Sequence, residues 1–158
     1  MKKQILPVCF LLLLITACGG ETPAPASVVA PAAEPEPAGL PRTTSVAGAT
    51  VFFISPADGD TVSNPVRVVF GIEGMEVVPA GENAPHSGHH HLLIDTGLPD
   101  LGLPIPKDAQ HVHFGDGSTE TEITLEPGQH TLQMLLGDHL HIPHDPPLVS
   151  DPITILVE

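Results

Sequence analysis

The chain has 158 residues, and its nineteen acidic residues against five basic ones give a formal net charge of −14 at pH 7. A surface this acidic repels nucleic acid and attracts cations. The absence of Trp and Tyr also removes the aromatic platforms on which bases stack. Composition therefore predicts no nucleic acid among the partners and favours a cation as the ligand.

The first eighteen residues have the pattern of a bacterial lipoprotein export signal. Lys2-Lys3 precedes a short apolar run, and small residues lead into a cysteine in Ile15-Thr16-Ala17-Cys18. A charged start, an apolar stretch and small residues at the cut define a secretory signal. The run is too short to span a membrane, which takes about 20 apolar residues. We therefore expect a signal peptide over 1–17 and lipid on Cys18, which would anchor the mature chain to a membrane.

Residues 18–48 are rich in Pro, Ala and Glu and have almost nothing to bury. Such composition predicts a lipid-anchored linker that acts as a semi-rigid spacer. Gly19 stands where an aspartate would mark inner-membrane retention. The predicted location is therefore the cell envelope, on the outer membrane facing the periplasm.

The remaining residues, 49–158, are enough for one domain. Segments rich in β-branched and aromatic residues alternate with turns containing Pro, Gly and Asp, and no convincing amphipathic helix is found. We predict an all-β fold, an immunoglobulin-like antiparallel β-sandwich of about seven to eight strands. The predicted strands are 50–54, 66–72, 75–78, 89–95, 110–114, 119–125, 130–136 and 153–157.

The histidines are the candidate functional residues of the domain. All ten follow the signal, and they are clustered in the sequence. Residues i and i+2 of a strand point to the same face. Two His-x-His strands side by side would therefore place four imidazoles on one patch, and imidazole is a common ligand of copper, zinc and nickel. The predicted primary metal ligands are His89, His91, His111 and His113.

A loop over 138–145 adds further imidazoles and carboxylates. We expect His141 or His144 to close the metal site from this loop. Carboxylates nearby can accept the ring N–H that the metal leaves free, and the expected acceptors are Asp95, Asp138 and Asp145. Copper(II) leads on affinity order and zinc(II) follows.

Other interpretations of the histidines remain open. The paired histidines and aspartates could form a hydrogen-bond network without metal. His86 and His130 are expected to be ordinary surface or hydrogen-bonded residues. No catalytic residue is assigned, because the serines lie in no nucleophile-elbow pattern and Cys18 would carry lipid.

Several motifs together resemble a small exported bacterial family catalogued as a domain of unknown function. They are Gly88-His89-His90-His91-Leu92-Leu93, His113-Phe114-Gly115 and Leu136-Gly137-Asp138-x-x-His141-x-Pro143-His144-x-Pro146-Pro147. The resemblance covers nearly all of 49–158 and implies a sandwich-like, exported domain. It implies no particular activity.

Two weaker likenesses concern copper. Pro56-Ala57-Asp58-Gly59 followed by Pro65-Val66-Arg67-Val68 is similar to the opening of periplasmic copper-carrier sandwiches, although their amino-terminal histidine is missing. His111-Val112-His113-Phe114-Gly115-Asp116 is similar to the copper-ligand strand of copper-zinc superoxide dismutase, with one residue fewer and without the disulfide cysteines.

Three alternative functions are therefore considered, in order of preference. The first is metal capture, buffering or delivery, with a metal-handling envelope protein as partner. The second is a metal-free envelope adhesion or interaction module. The third is a copper-dependent enzyme resembling superoxide dismutase.

Overall fold

The computed structural model describes residues 40–158; the predicted signal peptide, Cys18 and most of the linker lie outside the described residues. Within 40–158 no helix is long and apolar enough to cross a membrane. The described residues form nine strands: β1 Thr50–Ser55, β2 Thr61–Val62, β3 Val66–Glu73, β4 Glu76–Val77, β5 Ser87–Ile94, β6 His111–His113, β7 Glu120–Ile123, β8 Gly128–Gly137 and β9 Ile153–Val157.

The strands form two sheets. The smaller sheet has the order β1-β3-β7, and the larger has the order β2-β9-β8-β5-β4 with β6 also paired to β5. The β2–β9 and β4–β5 pairs are parallel and the other pairs are antiparallel. The prediction of an all-β, sandwich-like fold is confirmed, and the larger sheet is mixed rather than wholly antiparallel.

Apolar side chains at alternate positions of the strands form the core between the two sheets. Strand β3 buries Val68 and Phe70 on its inner face, and strand β8 buries Leu132, Met134 and Leu136. Each such side chain contributes on the order of 1.5–3 kcal/mol when it leaves water. The residues between them on each strand point to the outer faces.

The outer face of the larger sheet is also covered over part of its area. Leu93 of β5 and Leu135 of β8 pack there against Ile105, which lies in the loop between β5 and β6. All eight residues of β5 are consequently buried. Strand β5 is therefore covered on both faces, and a histidine on either face loses most of its contact with water.

Residues 42–45, which the sequence assigns to the linker, contact the folded domain. Thr44 forms a β-bridge with Asp145, and the Ser45 amide donates to the Asp145 carbonyl at 3.1 Å. The described fold therefore begins before the predicted boundary at residue 49.

Candidate metal centre

Four imidazoles meet on the outer face of the larger sheet, and we call His89, His91, His113 and His141 the histidine cluster. The register of β5 and β6 places His91 directly opposite His113. His89 lies two residues earlier on the same face of β5, and His141 comes from the loop after β8. Ring centroids are 4.8 Å apart for His89 and His91, 5.1 Å for His91 and His113, and 4.7 Å for His113 and His141.

Three members of the cluster could hold a metal ion together. His89, His113 and His141 each offer one ring nitrogen, and these nitrogens lie within 4.8 Å of one another. The Nε2 atoms of His113 and His141 are 3.1 Å apart. Two nitrogens bound to one tetrahedral ion at about 2.0–2.1 Å would be roughly 3.3 Å apart. The separation of this pair thus suits a shared ion with little movement.

Several ring nitrogens of the cluster are buried without a partner. Within residues 40–158, neither Nδ1 nor Nε2 of His89 has a hydrogen-bond partner, and the same holds for Nδ1 of His91. A buried polar atom left unsatisfied costs about 1–3 kcal/mol. A metal ion bound to His89 would offset part of this cost.

The environment favours the neutral form of three of the four imidazoles, those of His89, His91 and His113. Burial, followed by the neighbouring His141 and His113, lowers the pKa of His89 to about 4. Burial, followed by the other histidines of the cluster, lowers the pKa of His91 to about 2. Burial and His141 also lower the pKa of His113. Neutral imidazole is the form that binds metal, so protons do not compete for these nitrogens at neutral pH.

Two of the predicted ligands lie apart from the cluster. His111 shares the outer face but pairs with Leu93, two residues along the strand from His91, and its Nδ1 lies 2.9 Å from Oδ1 of Asp108. His144 is buried, and its Nε2 donates to the carbonyl of Ser87 at 3.2 Å. From the loop, the structure brings His141 rather than His144 to the cluster.

The three predicted carboxylates occupy different positions. Asp95 lies 2.7 Å from Nδ1 of His130, and Asp145 forms a 3.5 Å ion pair with Arg42. Both carboxylates are exposed. Asp138 is buried at the start of the loop that carries His141, and its charge raises the pKa of His89 against the larger effect of burial.

Two glycines to which the sequence analysis assigned no role make room for the imidazole rings. A Cβ on Gly115 would lie 2.3 Å from Cε1 of His113, and one on Gly137 would lie 2.8 Å from Cε1 of His91. Any larger residue would displace the ring. Both glycines lie in motifs of the family resemblance, Gly115 in His113-Phe114-Gly115 and Gly137 in Leu136-Gly137-Asp138, but only the folded structure shows why a side chain is excluded there.

The fold and the site together define a sandwich-like all-β protein with a histidine cluster that could hold a metal ion. The chain belongs to the family described as domain of unknown function (DUF4399), whose model matches residues 68–158. The prediction that the domain belongs to a family of unknown function is confirmed, and the matched region includes the whole histidine cluster. No curated protein and no solved structure matches the chain.

Proposed function

We propose that this protein binds one transition-metal ion through His89, His113 and His141, with His91 beside them, for capture, buffering or delivery in the cell envelope. The observation that carries the proposal is the convergence of three imidazole ring nitrogens within 4.8 Å of one another. An all-imidazole donor set suits copper(II), zinc and nickel, and copper(II) leads that order of affinity. Copper(II) is the proposed ion and zinc(II) the second choice.

The burial of the cluster supports an exchangeable ion rather than a structural one. His89 and His91 are 0% and 1% exposed, whereas His113 and His141 are half-buried. An ion can therefore enter and leave past His113 and His141 while His89 stays fixed in the central strand. The acidic surface would raise the local concentration of cations near this opening.

Calorimetric titration of tag-free protein with copper(II) and zinc(II) at pH 7 tests the proposal. We expect one ion for each chain. Replacing His89 and His113 together by Ala should abolish tight binding, because it removes two of the three converging nitrogens. Replacing His86, which is exposed on a loop, should leave the affinity unchanged.

Equal binding by wild type and the His89→Ala/His113→Ala variant would show that the cluster is not the site. If the wild type binds no metal, the runner-up takes its place, a metal-free envelope adhesion or interaction module in which the histidines order the loops. Turnover of superoxide by copper-loaded protein would instead indicate the third function, a copper-dependent enzyme.

The anchor is a separate part of the proposal, and it depends on the lipobox motif that ends at Cys18. Cys18→Ser should block lipid attachment, because serine lacks the thiol that accepts the lipid. We expect the wild type in the membrane fraction with a lipidated amino-terminus, and the variant uncleaved or soluble. Identical fractionation and identical mass of the mature amino-terminus would contradict the anchor.

A further inference from the structure

The loop that carries His141 is held from outside by residues 42–45, which we call the amino-terminal strap. Arg42 donates from Nε to the carbonyl of Pro143 at 2.9 Å and from Nη2 to the carbonyl of His144. Its guanidinium also lies 3.5 Å from the carboxylate of Asp145. One side chain thus fixes three consecutive residues at the end of the loop.

The strap fixes the start of the same loop as well. Thr43 donates from Oγ1 to Oδ2 of Asp138 at 2.7 Å. The Thr43 carbonyl accepts from the Asp145 amide at 2.9 Å, and Ser45 donates to the Asp145 carbonyl and, from Oγ, to the carbonyl of Pro146. Both ends of the loop are therefore tied to one short segment.

Asp138 passes this constraint on to His141. Its Oδ2 binds Thr43, while its Oδ1 accepts the amides of Leu140 at 2.8 Å and Ile142 at 3.0 Å, which flank His141 on both sides. His141 itself adopts a left-handed backbone with φ of 65°. A non-glycine residue in this region carries a strain of about 1–3 kcal/mol and persists only where its surroundings enforce it. The orientation of the His141 imidazole thus depends on the bonds of Asp138.

We propose that Arg42 and Thr43 are positioning residues for the metal centre, acting through Asp138 and the loop to keep His141 in the ligand set. The inference rests on the proposed metal-binding function. Without the strap, the loop can relax its strained backbone and move His141 away from His113. Residues that orient a metal ligand typically change metal affinity by about 10–100-fold when they are replaced.

Thr43→Val tests the strap, since it removes the hydroxyl and keeps the shape of the side chain. On the full chain, we expect copper(II) to bind at least tenfold more weakly than to wild type. At saturating copper, the electron paramagnetic resonance spectrum should shift toward that of His141→Ala, which reports the loss of one nitrogen ligand. Thr43→Ser keeps the hydroxyl and should restore the wild-type affinity and spectrum. Thr124→Val, at an exposed threonine between β7 and β8, is the matched control.

Arg42→Lys provides an independent test if Thr43→Val does not fold, as judged by circular dichroism. Lysine keeps the positive charge but lacks the planar fork that reaches two carbonyls, so the affinity should again fall. If the wild type binds copper and the folded strap variants match its affinity and spectrum, the positioning role is overturned and the proposed function stands. If the wild type binds neither copper(II) nor zinc(II), both are overturned.

Discussion

Acidification from about pH 6.5 to pH 4 is expected to unfold the metal-free protein, because three buried histidines resist protonation in the fold. The pKa of His90 is lowered to about 4 by burial, as is that of His89, and the pKa of His91 is lowered to about 2. In the unfolded chain these groups titrate near their ordinary value of about 6.5. All three effects have the same sign.

The sign follows from where each state takes up its protons. Well above pH 6.5 the three histidines are neutral in both the folded and the unfolded chain, so they do not lower the free energy of unfolding. Below pH 6.5 the three histidines become protonated in the unfolded chain but stay neutral in the folded protein. The free energy of unfolding therefore falls by about 1.4 kcal/mol per pH unit for each histidine. For three histidines the loss approaches 6 kcal/mol by about pH 5, which is comparable with the 5–15 kcal/mol of a typical domain.

One described histidine acts in the opposite direction. The Asp95 carboxylate raises the pKa of His130, so this pair stabilises the fold at low pH and loses its effect as the pH rises through the folded pKa. Asp95 is exposed, and a pair of this kind contributes about 1 kcal/mol or less. It does not compensate for the three buried histidines.

His90 allows the acid effect to be measured without touching the proposed ligands. Its ring packs 5.1 Å from Phe70 on the core side of β5, opposite the histidine cluster. His90→Leu should reduce the pH dependence of unfolding by about one proton and move the acid midpoint downward. Denaturant unfolding between pH 4.5 and 7.5, with a chelator present, measures this. His86→Leu is the exposed control, and an unchanged slope in His90→Leu would contradict the argument.

Strand alternation explains how much of the fold and the site the sequence could predict. The eight predicted strands correspond to eight of the nine in the structure, because most of them bury apolar residues between turns. Strand β2 was missed, since Thr61–Val62 is only two residues long and forms a strand by pairing with β9. The parallel pairings depend on contacts far apart in sequence, which local pattern does not reveal.

The sequence predicts which histidines share a face of a strand, but it does not predict how the strands place those histidines relative to one another. Alternation correctly groups His89 with His91 and His111 with His113, yet it does not give the register between the two strands. That register pairs His113 with His91 and leaves His111 opposite Leu93, beside Asp108. Which loop histidine approaches the cluster depends on the left-handed backbone of His141, which no spacing rule predicts.

One residue of the amino-terminal strap stands out in the sequence, although the surrounding composition is that of a linker. Arg42 is one of only three basic residues after the signal, and it ends the Pro/Ala/Glu-rich stretch. An isolated arginine in an acidic chain indicates a specific partner, but the partner carbonyls of Pro143 and His144 lie about a hundred positions away. Only the folded structure joins them.

Gly115→Ala is expected to weaken metal binding by about 100-fold with little loss of stability. The added Cβ would lie 2.3 Å from Cε1 and 2.7 Å from Nε2 of His113, so the ring must rotate away. The backbone of Gly115 does not lie in the left-handed region, so alanine introduces no backbone strain. The His113 ring is half-buried and can move outward, which keeps the cost to folding small. The binding site loses a ligand although every histidine is still present.

A double-mutant cycle separates this displacement from a general disturbance. If Gly115→Ala acts only by moving the His113 ring, then adding it to His113→Ala should cause no further loss of affinity, because the ring is already absent. Gly97→Ala is the matched control, since a Cβ there meets nothing within 4 Å, and it should bind metal like the wild type. Calorimetric titration of the four proteins measures the cycle. Additive losses from the two changes would contradict the ring-displacement mechanism, because they would show that Gly115 affects metal binding by a route that does not involve His113.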